Sequence, residues 1–265
     1  MATATTTPWK AVGIIFRVIF ALILRETKTR YGRYKLGYLW ALLEPVLFIS
    51  ILSFIFSIRR SVPFDVPTVL FIATGVIPFF MFRNVVAQTM TAVRANIQLL
   101  VFPQVQVSDL GFARTILELA TAIVVFVLLM GAIAFLQIAP VSIENSIQLL
   151  QATFLIVLIG YGFGTSVCSL ALLFPAIEVL VTTIILRPLF FLSGVFFSAD
   201  MLPPDLRSIA LINPILQLIE FFRSAFFAKF DSQYVDMNYL VGFCLAQIFL
   251  GLLLQRAFRK HAFIQ

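Results

Sequence analysis

Histidine occurs once in this sequence, at position 261, and cysteine twice, at 168 and 244. A lone imidazole with no cysteine nearby makes no metal site. Both cysteines fall inside apolar runs, where a free thiol behaves as a small hydrophobe, so neither a disulfide nor a bound metal is expected. The phosphate-cradling pattern G-x-x-x-x-G-K-[ST] is missing, as are H-E-x-x-H and G-x-S-x-G. The twelve carboxylates are scattered, with no pair placed for acid/base work. The chain is not expected to be an enzyme by itself, and energy for any uphill process would have to come from elsewhere. Charge itself is scarce: 12% of residues, against about 25% in soluble domains.

Apolar side chains fill that space. Hydrophobic residues make up 61% of the 265 and the mean hydropathy is +1.05. Runs of about 20 apolar residues can cross the hydrocarbon core as helices. Six are expected, at 39–58, 68–92, 111–136, 147–173, 177–198 and 236–256, which makes an all-α polytopic membrane protein with six transmembrane helices. Thirty phenylalanines accompany them, either as ordinary lipid-facing and packing residues or as the lining of a wide pathway. GYGFG (160–164) sits in the middle of a span, where close helix packing through small residues is its natural role.

The formal charge of +7 reports orientation before it reports a nucleic-acid partner, and no nucleic acid is expected. Lys and Arg crowd the segment before the first span, the loop between spans two and three, and the C-terminal end. Arg59, Arg60, Arg207, Arg223 and Lys229 fall on the other side. The crowded side should be cytoplasmic, with both termini inside. Residues 9–29 do not read as a secretory signal, because Arg17 breaks the apolar stretch. Lys10, Arg17, Arg25 and Lys28 share an arc of about 80° at helical spacing, which predicts an amphipathic helix lying in the interface.

Two connections are more than loops. Residues 94–112 are too polar to span and too apolar to be a free linker, with Pro103 as a break and Ser108-Asp109 as a helix start. A short cytoplasmic coupling element that docks a partner is expected there. Residues 200–230 are apolar yet carry Arg207, Glu220 and Arg223, and Pro203-Pro204 and Asn213-Pro214 each mark a helix start. A re-entrant pair of helices on the periplasmic side, between spans five and six, suits both features.

Ionisable residues inside spans are costly and face a bundle interior or a cavity. Glu44, Arg83, Glu118, Glu178 and Arg187 are the set, acting as structural ion pairs or as pathway residues. The stretch TRYGRYKLGYLWALLEP (29–45) concentrates Arg30, Arg33 and Lys35 beside Tyr34, Tyr38 and Trp40. An aromatic belt with orientation anchors accounts for part of it. The cation density also suits an anionic headgroup or phosphate, and the rings suit sugar faces.

LRETKTRYGRYKLGYLWALLEP (24–45) resembles the first-helix motif of capsular polysaccharide export permeases, the ABC-2 transmembrane subunits of Gram-negative bacteria. GVIPFFMF (75–82), ARTILE (113–118), RPLFFLSGVFF (187–197) and INPILQLIEFFR (212–223) are similar to further segments of that family, so the likeness covers nearly the whole chain. The resemblance implies a single ABC exporter transmembrane domain over 1–265, in the inner membrane, working as a homodimer. A cytoplasmic ATP-binding subunit would bind ATP and Mg, with no cofactor in this chain. The cargo would be an acidic, glycolipid-anchored polysaccharide handed to a periplasmic co-polymerase and outer-membrane exporter. Arg25, Lys28, Arg30, Arg33, Lys35, Tyr34, Tyr38, Trp40, Arg83 and Arg187 become candidate substrate contacts. Glu44, Phe190, Phe191, Phe196 and Phe197 become candidate channel lining. Asn96, Gln98, Leu99, Phe102, Pro103 and Asp109 become candidate ATPase contacts. An O-antigen, teichoic-acid or amphiphile exporter, and a non-transporting membrane scaffold, are the alternatives.

Overall fold

The long apolar runs fold as long helices. The computed structural model describes residues 8–31, 36–59, 66–102, 104–227, 230 and 233–258; within the first two helices it describes side chains 13–29 and 39–58. The elements begin with α1 (Pro8–Tyr31), α2 (Leu36–Arg59), α3 (Thr68–Met90), α4 (Ala92–Ala95) and a 3-10 turn at Ile97–Val101. They continue with α5 (Val107–Phe135), α6 (Ser146–Ala171) and α7 (Ala176–Leu180), a π-helical segment at Val181–Leu186, and α8 (Arg187–Leu192). A 3-10 turn at Ala199–Met201, α9 (Pro204–Ala210), α10 (Pro214–Ser224) and α11 (Met237–Phe258) complete the order. No strand occurs among the described residues.

Among the described residues five helices are long and apolar enough to cross a membrane, in α2, α3, α5, α6 and α11. The expected fifth span has a different form. Residues 176–192 are helical throughout, but in three consecutive geometries, α, π and α, and the helix stops at a turn through Ser193 and Gly194 well short of residue 198. Gly194 has φ +73°, a left-handed backbone that glycine adopts without penalty. Pro188 has no N–H to give to the ladder, and a π turn is one of the ways a helix absorbs such an interruption.

The third span starts at Val107, four residues earlier than expected. Its cap is Gln106, whose side chain accepts from the N3 backbone while its own N–H donates to the Asp109 carboxylate at 2.9 Å. The Pro204 and Pro214 starts appear as predicted, and the Asn213 side chain caps α10 by accepting from the Ile215 N–H at 3.0 Å. α2 continues through Pro45 without a break.

α3 is the central post. Every residue from Leu70 to Phe82 is buried, under α2, α5, α6 and α10. Glycines set the closest approaches. Gly160 and Gly164 meet α3 at Val85 and Thr89, while Gly162 on the opposite face meets the backbone of α11. A Cβ at Gly162 would lie 2.8 Å from the Ile248 nitrogen, and one at Gly251 would lie 2.8 Å from the Gly162 oxygen. The GYGFG motif therefore packs two helices against α6 at once, which is the role its mid-span position predicts.

A second keystone ties α10 to α3. Arg223 is completely buried, and its guanidinium donates to the Gly194 carbonyl at 3.0 Å and to the Phe71 and Phe197 carbonyls at 3.4 Å. It stacks over the Phe71 ring at 3.9 Å and pairs with Glu220 at 3.6 Å. Glu220 in turn accepts from the Ala199 N–H and the Ser198 hydroxyl. The sequence pattern puts Arg223 among the loop cations that report orientation; burial makes it a structural residue instead. Gly75 leaves room for it, since a Cβ there would lie 2.9 Å from the guanidinium.

Candidate functional site

α2, α3, the π segment and α8 enclose an aromatic cleft. Phe48 on α2, Phe80 on α3 and Phe190 on α8 meet edge to face or tilted, with centroids 5.3, 5.7 and 6.1 Å apart. Phe190 also meets Phe196 at 5.0 Å, and Phe191 stacks on Phe196 at 5.5 Å. Three of the four predicted lining phenylalanines thus form one cluster. Phe197 contributes its backbone carbonyl to Arg223.

Two cations stand in this apolar wall. Arg83 forms an ion pair with Glu44 at 2.9 Å, lies 4.1 Å over the Phe80 ring and donates to Asn84 Oδ1 at 3.1 and 3.2 Å. Arg187, presented at the junction of the π segment and α8, is exposed. Both line a cavity of about 550 Å³ together with Phe48, Phe80, Phe190 and Phe191. Glu44 also borders a small cavity of about 40 Å³ on the other side of α2 and α3, shared with Asn84, Glu118 and Thr121. The sequence-predicted residues Glu44, Arg83, Arg187, Phe190 and Phe191 are therefore brought to one place.

The end of the molecule that holds α4 carries a polar staple. Arg114 donates to the Glu26 carboxylate at 3.0 Å, to the Gln88 carbonyl at 3.1 Å and to the Thr91 hydroxyl at 3.0 Å. Asn96 donates to Glu26 at 2.7 Å and to the Ala92 carbonyl at 3.0 Å, and accepts from Arg25. These bonds lock α1 to the α4 turn and to α5. Arg25, predicted to contact substrate, spends its guanidinium inside the protein. Asn96, predicted to touch a docking partner, is only 4% exposed and lies inside the staple. Short polar side chains in a loop read as surface from sequence, and only the fold reveals their internal partners.

Gln98 and Phe102 face outward, Leu99 is half-buried, and Asp109 is partly engaged as the α5 cap. Pro103 lies outside the described residues. Lys28 and Trp40 are exposed, while the side chains of Arg30, Arg33, Tyr34, Lys35 and Tyr38 lie outside the described residues.

Sequence reasoning missed Glu26, Arg114 and Arg94 as working residues. Arg94 forms an ion pair with Glu178, joining the α4 turn to the first turn of α7 and hence to the helix that carries Arg187. Arg94 and Arg114 bound the loop between spans two and three, where orientation is explanation enough for a cation; their acidic partners Glu178 and Glu26 lie far away in sequence.

Comparison with known proteins gives the family. Residues 17–227 match the family described as ABC-2 type transporter. The chain is 35% identical over 246 residues to the polysialic acid transport protein KpsM of Escherichia coli, covering 92% of this chain and 94% of that one. It is 32% identical to the capsule polysaccharide export inner-membrane protein BexB of Haemophilus influenzae, covering 96% of each. The O-antigen export system permease protein RfbA of Klebsiella pneumoniae is 26% identical over 91% of this chain. Relatives at this identity and coverage, with a family match over most of the chain, fix the assignment: the chain belongs to the ABC-2 type transporter family.

Proposed function

We propose that this chain is the transmembrane permease subunit of an ATP-driven exporter that moves lipid-linked acidic capsular polysaccharide across the bacterial inner membrane. The observation that carries this reading is the cleft of phenylalanines holding Arg83 and Arg187, in a chain that aligns over 92% and 96% of its length with two such relatives. Aromatic faces accept sugar rings with few hydrogen bonds to break at each step, and the arginines answer acidic groups. An O-antigen exporter remains the second reading, supported by the weaker similarity to RfbA.

Six crossings follow if the helical run 176–192 spans together with the five long helices. α1 then lies in the cytoplasmic interface, its exposed Ile15, Phe16, Phe20 and Leu24 in lipid. α9 and α10 return in the outer leaflet. Two copies form the transporter, both termini are cytoplasmic, and a separate ATP-binding subunit docks on the exposed edge of the 97–102 turn, at Gln98, Val101 and Phe102. A periplasmic co-polymerase and outer-membrane exporter receive the chain.

The basic stretch Arg30, Arg33 and Lys35 would hold the anionic lipid end at entry. In cells lacking the gene and complemented with Arg30→Ala/Arg33→Ala, polymer should collect inside while protein level and ATPase co-purification stay normal. Normal surface polymer with this variant would make the cations orientation anchors. Normal polymer without the gene would support the scaffold alternative.

The Arg94–Glu178 pair would pass ATPase motion to the cleft. Arg94→Glu should reduce export several-fold and also lower stability, because it sets a second carboxylate against the buried Glu178. The double exchange Arg94→Glu/Glu178→Arg should restore most of it. Failure of the exchange to restore export would exclude the pair as the link.

A further inference from the structure

We infer that Glu44 is a resident counter-ion that the ligand displaces from Arg83, and that Arg83 and Arg187 together form an oxyanion site for a carboxylate or phosphate borne on a ring-bearing or apolar body. The inference rests on the export reading and gives the cleft a defined occupant. Three observations support it. Charge comes first: Arg83 and Arg187 line the cleft, only Arg83 is paired, by Glu44 at 2.9 Å, and Arg187 has no hydrogen-bond or ion-pair partner among the described residues, so the resting cleft carries one uncompensated positive charge. A lone cation at bilayer depth costs about 2.5–3.5 kcal/mol on insertion scales, so a monoanion entering the cleft removes that cost.

Access comes second. The side chains of Arg83 and Glu44 are 27% and 30% exposed, so neither is sealed, and the pair can open without unfolding its helices. Space comes third. The cavity of about 550 Å³ falls within the roughly 300–1,000 Å³ usual for organic ligands, and its walls are ring faces. Displaced from Arg83, the Glu44 carboxylate can turn toward Asn84 and Thr121 on the small cavity.

The test is equilibrium binding to the full-length protein in phosphatidylcholine nanodiscs. Two labelled probes are used: a short oligomer of glucuronic acid and a phosphatidylglycerol analogue. At least one should bind, more weakly as salt rises. Arg83→Gln and Arg187→Gln should each weaken it about tenfold, as expected for lost hydrogen bonds to a charged group. Glu44→Gln should tighten it about threefold to fivefold, the worth of a partly exposed competing pair. A response confined to the sugar probe assigns the site to cargo, and one confined to the lipid probe assigns it to a headgroup.

Unchanged binding in the arginine variants, weaker binding in Glu44→Gln that follows its melting temperature, or no binding of either probe would overturn the site. Should a single variant fail to fold, Glu44→Gln/Arg83→Gln removes both members of the pair together, leaves Arg187 as it was, and must still lose binding. A failed binding test with polymer trapped in gene-deleted cells sinks only the exchange. Normal polymer in those cells sinks the export reading whatever the probes do.

Discussion

Arg223→Leu should be the most damaging single substitution among the described residues, lowering stability by about 3–5 kcal/mol, the usual penalty for removing one partner of a buried ion pair. The loss has two parts. Glu220, only 2% exposed, loses its counter-charge and must either hold a buried charge unpaired or take up a proton, each at a cost. The carbonyls of Phe71, Gly194 and Phe197 lose their shared donor. Lysine should recover part of the loss, since its compact ammonium cannot fork across three carbonyls as a guanidinium does. Replacing both partners, as Arg223→Met/Glu220→Gln, should be milder than Arg223→Leu alone, because no unpaired charge stays inside. Thermal melting in detergent, with protein level in membranes, reads all three. A melting temperature for Arg223→Leu equal to that of the wild type would show that α10 does not depend on this clasp.

Gly162→Val comes next, and its effect arises from volume alone. The added carbons would occupy space held by the backbone of Gln247 and Ile248, and backbone cannot rotate away as a side chain can. Overpacking typically costs about 1–3 kcal/mol, and occasionally more; the upper end is expected where both contacting surfaces are helix backbone. The expected result is α11 pushed off α6, seen as a lower melting temperature and as protease cutting within α11. Gly242→Ala on that same helix is the control. A Cβ there meets nothing within 4 Å, and alanine favours helix over glycine by about 1 kcal/mol, so that change should be neutral or stabilising. Equal effects at the two positions would argue against close α6–α11 packing.

These two sites show what sequence conveys and what it does not. Glycines two and four apart in an apolar run define two faces of a helix, so the packing role of GYGFG was legible before any neighbour was known. Arg223 was not. A cation near a predicted turn has a sufficient explanation in membrane orientation, and nothing local indicates that Phe71, 152 residues away, will offer it a carbonyl. Long spans were legible because their helical bonds are internal and their composition suffices. The run at 176–192 was misjudged in length because its end depends on the Gly194 turn and on how that turn fits against α3, not on hydrophobicity. Arg83 and Arg187, expected as substrate contacts, and Phe190 and Phe191, expected as channel lining, line one cavity; intramembrane charge is rare enough to draw attention to such positions from sequence. Asn96 failed for the opposite reason: polar residues in loops are common.

The clasp on Arg223 also sets an order for biogenesis. α3 leaves the ribosome first, and the notch at Gly75 beside Phe71 stays empty until residue 223 follows. At synthesis rates of about 5–20 residues per second, that interval is about 7–30 s. During it the central helix has its apolar neighbours but not the residue that fastens the last third of the chain to it. Nascent chains that stall short of residue 223 would leave the 194–222 segment without its clasp to α3.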